Sequence, residues 1–297
     1  MHTIINKQII ALGFKRMDVK ADLISKKAKP GQFVMIMPRE QSARIALSIV
    51  EADALKGTIS LVFEETSLAM QELGNLQIGE SIFMILGPLG LPVPFEDVQK
   101  GNVVVCIGYG IGIAQVLSFC RELHKFEAKV IGIAGVKTRR ALLLESQMRL
   151  ACDKLCLTTD DGTYEKKGYV TGSLREMLQQ YKIKLVICFA PPSIMNAVCA
   201  ITKEYRIKTI VGLNPFMVDG TGLCGSCRVR VKDKNVFACV DGPIFDGHEV
   251  DFKDLETRTM HCEVEDSWHN LISQPSHTFD ESRILRKWLG GLLKNKP

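Results

Sequence analysis

The stretch Asn102-Val-Val-Val-Cys-Ile-Gly-Tyr-Gly-Ile-Gly112 decides the fold of the middle of this chain. The residues before its first glycine form an apolar run, which is typical of a strand buried on both faces of a parallel sheet. Gly108, Gly110 and Gly112 follow, and the amphipathic stretch Ile113–His124 comes next. A strand, a glycine loop and a helix in this order direct backbone N–H groups toward a phosphate. The spacing is G-x-G-x-G rather than the G-x-G-x-x-G fingerprint, so the motif alone is only moderately specific.

The alternation of strand and helix continues to about residue 213. Amphipathic stretches predict helices at about 139–151, 172–181 and 193–205, and apolar runs predict strands at Lys129–Ala134, Leu155–Thr159, Leu185–Phe189 and Thr209–Val211. Residues 98–213 are therefore predicted to form an α/β doubly wound parallel sheet. Ligands of such sheets bind at the carboxyl ends of the strands, so the loops that follow the strands are the candidate binding residues.

Two acidic residues follow one of these strands. Asp160 and Asp161 could accept hydrogen bonds from a ribose diol and repel a 2′-phosphate, which favours NAD(H) over NADP(H). Arg139 and Arg140 follow another strand and argue the other way, because paired arginines can bind a 2′-phosphate. In the alternative interpretation the aspartates form a turn and the arginines begin a solvated helix. We predict NAD(H) binding at the aspartates.

Residues 1–97 are rich in short β-prone runs. Turn signals separate runs of Ile, Val, Leu and Phe, which predict strands at Gly31–Met37, Ile45–Val50, Thr58–Phe63 and Ser81–Leu86. Short strands at this spacing predict an antiparallel β-barrel or sandwich. Along the second of them, alternation places Arg44, Ala46 and Ser48 on one face. An arginine and a hydroxyl there could hold a phosphate and the edge of a flavin, although an ion pair is the more common role of a single arginine.

The C-terminal third contains Asp219-Gly-Thr-Gly-Leu-Cys-Gly-Ser-Cys227, and Cys239 follows. Cysteines at C-x2-C-x11-C spacing, in a chain without secretory features, indicate metal ligands rather than disulfides. Zinc sites usually have two cysteine pairs, and the second pair is missing. A [2Fe–2S] cluster has the spacing C-x4-C-x2-C…C, in which Asp219 occupies the first position. The glycines let the loop turn tightly around sulfide, so a cluster is favoured over zinc or buried free thiols.

The composition disfavours several classes of protein. The 297 residues carry a net charge of +5, with positive and negative residues interspersed. The sequence has no long basic stripe with aromatic residues, so nucleic-acid binding is disfavoured. The first residues, MHTIINKQIIALGFK, do not have the pattern of a signal peptide, and no apolar run is long enough to span a bilayer. Ten cysteines then fit a reducing compartment, and we predict a cytoplasmic protein. Residues Asp280–Lys294 are predicted to form a basic amphipathic helix. Docking on a partner or folding back on its own chain is favoured over binding to a membrane surface, because Trp288 is the only aromatic residue in the apolar stripe.

These pieces resemble the ferredoxin-NADP reductase-like electron-transfer subunits, which carry FAD, an NAD domain and a C-terminal [2Fe–2S] cluster. The resemblance covers roughly residues 1–255 and lies in the segments RIALSIV, GTISLVFEE, LGPLG, TTDDGTY, KGYVT, IKTIVGLNPFMVDGTGLCGSC and FACVDGPIFDGHEVDF. Within the family, the chain is most similar to the small subunits of NADH-dependent reduced ferredoxin:NADP oxidoreductases, also called sulfide dehydrogenases. An aspartate as first cluster ligand is a feature of that group. The electron-transfer subunits of dihydroorotate dehydrogenases, whose clusters have four cysteines, are the alternative.

The resemblance implies a particular set of cofactors and partners. FAD would bind a six-stranded barrel through Arg44, Leu47 and Ser48, and NAD(H) would lie over the glycine loop near Asp160. Electrons would pass between NAD(H), FAD and the cluster to a larger flavin and iron–sulfur subunit that resembles the glutamate-synthase small chain. Ferredoxin could be reached through that complex. The cluster ligands would be Asp219, Cys224, Cys227 and Cys239.

The resemblance also implies domain boundaries. Residues 1–97 would form the FAD-binding barrel, 98–213 the NAD-binding domain and 214–252 the cluster domain, followed by a tail at 253–297. Residues 1–97 contain no cluster of His, Asp and Glu, so no acid–base site for a small organic substrate is predicted.

The chain departs from the family pattern at three places. Ser67-Leu68-Ala69-Met70 stands where members have a hydroxyl-rich segment that binds the FAD pyrophosphate. Gln115 stands where members often have proline, and Phe189-Ala190-Pro191 replaces a Cys-Gly-Pro motif next to Cys188. A structural adaptor subunit that has lost FAD is therefore a further alternative.

Overall fold

The N-terminal strands form an antiparallel sheet whose apolar side chains share one core. The structure is a computed structural model and describes residues 2–93 and 95–258. Two short helices, α1 (Asp22–Lys27) and α2 (Leu68–Asn75), lie in the connections. The seven strands are β1 (His2–Ala11), β2 (Phe14–Lys20), β3 (Phe33–Met37), β4 (Ile45–Asp53), β5 (Thr58–Glu64), β6 (Ser81–Ile82) and β7 (Met84–Leu89). Their order in the sheet is β6-β1-β2-β5-β4-β3-β7.

The sequence predicts one strand at Ser81–Leu86, and this prediction is wrong at Phe83. The chain breaks there, and the Phe83 N–H donates to the carbonyl of Pro38 at 3.1 Å. β6 then pairs with β1, whereas β7 pairs with β3. Because β6 and β7 are the two edge strands and follow each other in the chain, this break nearly closes the barrel. The sheet has seven strands, one more than the resemblance implies.

The first two strands have no counterpart in the sequence prediction. In β1 only Ile4 is fully buried, so the strand lacks the alternation of buried and exposed residues that would reveal it. Register shifts in the pairing of β1 with β2 disturb the pattern further. The burial of these strands depends on neighbours that are distant in sequence, and no local pattern encodes it.

The middle of the chain forms a parallel sheet with helices on both faces. The four helices are α3 (Gly112–His124), α4 (Glu145–Leu150), α5 (Val170–Gln180) and α6 (Pro192–Glu204). On one face of the sheet, Val104 and Cys106 pack with α3. On the other face, Val105 and Ile107 pack with α5 and α6. The strands are β8 (Val103–Tyr109), β9 (Lys129–Val136), β10 (Lys154–Thr159), β11 (Lys166–Lys167), β12 (Ile183–Phe189) and β13 (Lys208–Gly212), in the order β11-β10-β9-β8-β12-β13. Because successive side chains of β8 point alternately into two helical layers, neither face of the strand meets solvent, and this explains its unbroken apolar run.

The helix predicted at 139–151 is wrong in its first half. A 3₁₀ turn at Arg139–Ala141 is followed by three leucines, and α4 begins only at Glu145. Leu143 and Leu144 are buried, and Leu144 has a φ of +54°. Turning both side chains into the core requires this left-handed residue, which interrupts the helix.

The cluster loop leads into a hairpin and then back to the parallel sheet. The hairpin strands are β14 (Arg228–Val231) and β15 (Lys234–Phe237), and Cys239 lies on the short helix α7 (Ala238–Asp241) rather than at a strand end. β16 (Ile244–Asp246) pairs antiparallel with β13 and becomes the edge strand of the sheet. Residues 252–258 are helical.

The described residues, 2–93 and 95–258, belong to one compact unit. None of the helices in the described ranges has the length and apolarity that crossing a membrane requires. The helix predicted at 280–294 lies outside the described residues.

Candidate functional site

The glycine loop connects β8 to α3 at the carboxyl end of the parallel sheet. A Cβ at Gly112 would lie 1.9 Å from the carbonyl oxygen of Phe189, and one at Gly108 would lie 2.6 Å from the Cα of Ile113. Gly110 has a φ of +57°, and nothing lies within 4 Å of its Cβ position. Packing therefore requires two of the glycines, and the third leaves open space beside the loop. A loop of this shape at a helix start fits the pyrophosphate of a dinucleotide.

A partly buried carboxylate adjoins this loop. The Tyr109 hydroxyl donates to Oδ2 of Asp160 at 2.6 Å, and burial together with this bond raises the pKa of Tyr109. The other carboxylate oxygen, Oδ1, is buried and has no hydrogen-bond partner within the described chain. Because an unsatisfied buried acceptor costs about 1–3 kcal/mol, Asp160 fits a ligand that supplies a hydroxyl.

Asp161 and the two arginines have other contacts. Oδ1 of Asp161 accepts hydrogen bonds from the N–H and the hydroxyl of Thr163, at 3.0 and 2.7 Å, which is the pattern of an Asx turn. The guanidinium of Arg139 lies 4.8 Å from the ring centre of Tyr164, and Arg140 is exposed. Of the two predicted aspartates, the structure joins only Asp160 to the glycine loop.

β4 presents the residues predicted to hold a flavin. Ala46 and Ser48 are half-buried on the outer face, as the alternation predicts, whereas Leu47 is buried in the barrel core. Leu47 can therefore offer only its backbone to a ligand on that face. Arg44 precedes the strand, is exposed, and forms no ion pair with any residue in the described ranges. An exposed guanidinium next to the strand that carries Ser48 fits a ligand that bears phosphate.

Ser48 lines a cleft between the barrel and the parallel sheet. The Nε2 of Gln115 donates to the Ser48 Oγ at 2.8 Å. Cys188, the thiol next to the altered motif, is fully buried in the core of the sheet and does not line the cleft. The cleft combines apolar and aromatic side chains with several polar groups, a lining that is typical of sites for aromatic ligands. The lining includes Phe33, Ala46, Ser48, Gln115, Phe189 and Met217.

The segment that departs from the family forms the start of α2. The Ser67 hydroxyl accepts a hydrogen bond from the Met70 N–H at 3.3 Å and so caps the helix. The Met70 side chain packs partly against the barrel core. Met70 therefore has a packing role where the resemblance implies a hydroxyl.

The predicted cluster loop is shaped by its glycines and by Asp219. The Asp219 carboxylate accepts hydrogen bonds from two backbone N–H groups, that of Thr221 at 2.7 Å and that of Cys224 at 3.0 Å. The bond from Thr221, followed by that from Cys224, lowers the pKa of Asp219. Asp219 thereby folds the loop back onto its first cysteine. Three residues in the loop have left-handed φ values of +77°, +83° and +73°: Gly220, Gly222 and Gly225.

The four predicted cluster ligands stand as two pairs. The Sγ atoms of Cys227 and Cys239 lie 3.2 Å apart and both residues are buried, and this burial raises the pKa of Cys239. Cys224 is exposed, and the Ser226 hydroxyl 3.0 Å from its Sγ lowers its pKa. Within the described ranges, no three His, Cys, Asp or Glu side chains are grouped as a metal site. Asp219 and Cys224 form the other pair, and this donor set of three thiols and a carboxylate fits the chemistry of an iron–sulfur cluster.

The cluster loop packs on the barrel next to the cleft. A Cβ at Gly220 would lie 2.6 Å from the Cγ of Met35 on β3. Phe33 and Met35 share one core with Met217 and Cys227. Phe33 and Met217 also line the cleft. A continuous layer of side chains therefore connects the cleft to the cysteines.

Sequence reasoning missed two contributions to these sites. Tyr109 has a local signal, because it lies between the first two glycines of the loop. Its bond to Asp160, however, joins β8 to the end of β10, and these strands are not consecutive in the chain. Met217 lies between the last strand of the parallel sheet and the cluster loop, and nothing in its sequence neighbourhood indicates that it lines the cleft.

The comparisons with known proteins agree with this arrangement. Residues 214–251 match the family model of the iron-sulfur cluster binding domain of dihydroorotate dehydrogenase B. A Thermotoga maritima protein named dihydroorotate dehydrogenase B (NAD(+)), electron transfer subunit homolog is 37% identical over 79% of this chain and 82% of its own length. The probable dihydroorotate dehydrogenase B (NAD(+)), electron transfer subunit of Methanocaldococcus jannaschii is 30% identical over 75% of this chain and 81% of its own.

Solved structures show the same relationship. A chain in the structure of NADH-dependent reduced ferredoxin-NADP oxidoreductase superposes with a TM-score of 0.84 at 29% identity, over 92% of this chain and 98% of that chain. Ferredoxin-NADP+ reductase from Plasmodium falciparum shares the fold, with a TM-score of 0.57 at 16% identity over 71% of this chain and 95% of its own. With relatives at these identities over most of its length, the chain belongs to the family of dihydroorotate dehydrogenase B electron-transfer subunits and their homologues, which are electron-transfer subunits of oxidoreductases.

Proposed function

We propose that this chain passes electrons among NAD(H), FAD and a [2Fe–2S] cluster and exchanges them with a larger partner subunit. The observation that carries the proposal is the adjacency of three candidate sites. The glycine loop begins α3, and α3 contacts Ser48 in the cleft through Gln115. On the other side of the cleft, the cluster loop packs on Met35 of β3. The similarity to NADH-dependent reduced ferredoxin-NADP oxidoreductase supports membership in a flavin-dependent complex. That the partner is a flavin and iron–sulfur subunit like the glutamate-synthase small chain is what the sequence resemblance implies.

Each part of the chain receives one role in this proposal. Residues 1–97 would bind FAD, 98–213 would bind NAD(H) and 214–252 would hold the cluster. The residues we assign to FAD are Arg44, Leu47 and Ser48, those we assign to NAD(H) are Gly108, Gly110, Gly112 and Asp160, and the cluster ligands are Asp219, Cys224, Cys227 and Cys239. Asp161, which the sequence also predicted to bind NAD(H), bonds to Thr163 and receives no role in binding.

The groups of the chain itself divide the binding work. Backbone N–H groups of the glycine loop would hold a pyrophosphate, and Oδ1 of Asp160 would accept a hydrogen bond from a ribose hydroxyl. Arg44 would pair with a phosphate, and Ser48 would donate a hydrogen bond in the cleft. The apolar lining of the cleft, which includes Phe189, excludes water and strengthens these interactions. When bound, FAD supplies the conversion between a two-electron hydride and single electrons.

An anaerobic titration of the purified full-length protein with NADH tests the proposal. Visible absorbance is expected to show bleaching of a flavin band, and EPR is expected to show a reduced [2Fe–2S] signal after the same additions. NADPH, added to a second sample, is expected to act at much higher concentration. A cluster signal without flavin absorbance would overturn the assignment of FAD and support the adaptor alternative instead.

The two aspartates are expected to differ in their effect on nucleotide binding. Asp160→Ala removes a buried acceptor, and since hydrogen bonds to charged groups contribute about 1.5–3 kcal/mol, the KM for NADH is expected to rise about tenfold or more. Asp161→Ala is the matched control: its carboxylate bonds to Thr163, so the KM is expected to stay within about twofold. Steady-state reduction of an artificial acceptor measures both. Equal effects of the two variants would refute the assignment.

A second candidate function keeps the relay and changes the partner. Relatives are named as dihydroorotate dehydrogenase B electron-transfer subunits, and these names favour a partner subunit that oxidises dihydroorotate and exchanges electrons with this chain. Affinity purification of the tagged chain from its native cells, followed by mass spectrometry, distinguishes the two. Recovery of a glutamate-synthase-like flavoprotein supports the first candidate, and recovery of a dihydroorotate dehydrogenase catalytic chain supports the second.

A further inference from the structure

Gln115 joins the nucleotide loop to the hydroxyl in the cleft. It lies in the first turn of α3, three residues after Gly112, and is half-buried. Its Nε2 donates to the Ser48 Oγ at 2.8 Å, and both residues line the cleft. One helix therefore begins at the glycine loop and, within a turn, contacts the flavin-side strand.

A second polar contact joins the same helix to the same strand. The Nη1 of Arg121 on α3 lies 3.0 Å from the Oε2 of Glu51 on β4. Gln115 and Arg121 are separated by about 9 Å along a helix, and Ser48 and Glu51 by about 10 Å along a strand. The two contacts therefore lie at separate points along the strand, so the Arg121–Glu51 contact can be removed while the Gln115–Ser48 bond remains.

The direction of the Gln115 bond determines what Ser48 can do. A serine hydroxyl has one proton to donate and two lone pairs that accept. Because Gln115 donates to the oxygen, the Ser48 proton stays available for an acceptor in the cleft. Of the other polar residues that line the cleft, Gln32 donates to the Gly90 carbonyl at 2.8 Å and Ser118 donates to the Gln115 carbonyl at 3.0 Å, whereas Asn214 is exposed.

We propose that Gln115 is a positioning residue that keeps Ser48 a hydrogen-bond donor toward the flavin ring. The inference rests on the proposed binding of FAD in this cleft. Because Gln115 belongs to the helix that begins at the glycine loop, the same element orients the nucleotide side and the flavin side of the site. The substitutions that test this differ in hydrogen bonding but little in size.

Three variants and their combination isolate the bond. Gln115→Met keeps the length of the side chain and removes the donor. Gln115→Glu supplies only acceptors, so it takes the Ser48 proton for itself. Ser48→Ala removes the hydroxyl, and the double variant Ser48→Ala with Gln115→Met tests whether the two residues act as a unit. Arg121→Met is the control, since it breaks the other contact between α3 and β4 without touching the cleft.

The visible spectrum of bound FAD and its rate of bleaching at saturating NADH are the two measurements. Both Gln115 variants and Ser48→Ala are expected to change the flavin spectrum and to slow bleaching about tenfold. The double variant is expected to be no slower than Ser48→Ala alone. Arg121→Met is expected to keep the wild-type spectrum and a bleaching rate within about twofold.

Two results would overturn the inference while leaving the proposed function intact. One is a wild-type spectrum and rate in both Gln115 variants. The other is an equal change in Arg121→Met, which would show that Gln115 only joins α3 to β4. A wild-type protein that shows no flavin absorbance would overturn the proposed function and this inference together.

Discussion

The Cys227→Ala variant is expected to lose the iron–sulfur cluster completely. Its sulfur is paired with that of Cys239 at 3.2 Å in the shared core, and only Cys224 and Asp219 would remain as further donors. Three donors do not complete the four-ligand set of a [2Fe–2S] cluster. We therefore expect the iron content of the purified protein to fall to background and the EPR signal of the reduced cluster to disappear.

The Cys152→Ala variant is the control for this experiment. Cys152 is a half-buried thiol whose sulfur lies 3.7 Å from that of Cys120, away from the cluster loop. Its loss is expected to leave iron content and the EPR signal unchanged. A normal cluster signal in Cys227→Ala would refute the ligand assignment.

The Gly112→Ala variant is expected to show the largest loss of stability. The new Cβ would lie 1.9 Å from the carbonyl oxygen of Phe189, where both colliding groups are backbone or fixed to it, so no side-chain rotation relieves the contact. Overpacking typically costs about 1–3 kcal/mol, and a clash with backbone lies at the upper end of that range, at about 3 kcal/mol. At about 2–4 °C per kcal/mol for a chain of this size, the thermal unfolding midpoint is expected to fall by about 6–12 °C. Circular dichroism on heating measures it.

Gly172→Ala provides the matched control with the opposite sign. Gly172 lies on α5, and nothing is within 4 Å of its Cβ position. Alanine in place of glycine inside a helix contributes about 1 kcal/mol, so this variant is expected to be more stable than the wild type. An unfolding midpoint of Gly112→Ala equal to that of the wild type would contradict the packing argument.

The parts of the fold that local patterns encode were predictable. The apolar run of β8 and the glycines after it predicted a buried strand and a turn into a helix, because burial on both faces and close backbone contact leave marks in the sequence itself. β1 left no such mark, since only Ile4 of that strand is fully buried. The break at Phe83 likewise follows from pairing with two different partners, β1 and β3, which a single stretch cannot reveal.

The candidate site divides in the same way. Gly108, Gly112 and Cys227 were found from spacing, because their chemistry depends on residue type. The different contacts of Asp160 and Asp161 could not be found that way, since they depend on Tyr109 and Thr163 in three dimensions. The Gln115–Ser48 bond spans residues that are far apart in the chain, and only the packing of α3 on β4 brings them together.

The strand that follows the cluster hairpin, β16, makes the C-terminal segment hard to separate from the parallel sheet. β16 covers the outer edge of β13, pairing Ile210 with Asp246 and Gly212 with Ile244. Uncovered strand edges are templates for aggregation. The segment that matches the iron-sulfur cluster binding domain therefore also completes the edge of the parallel sheet. A protein engineer could not excise it to obtain a soluble flavin reductase without supplying a substitute edge. To move this segment into another protein, the recipient sheet would need an unpaired edge strand with which β16 could pair.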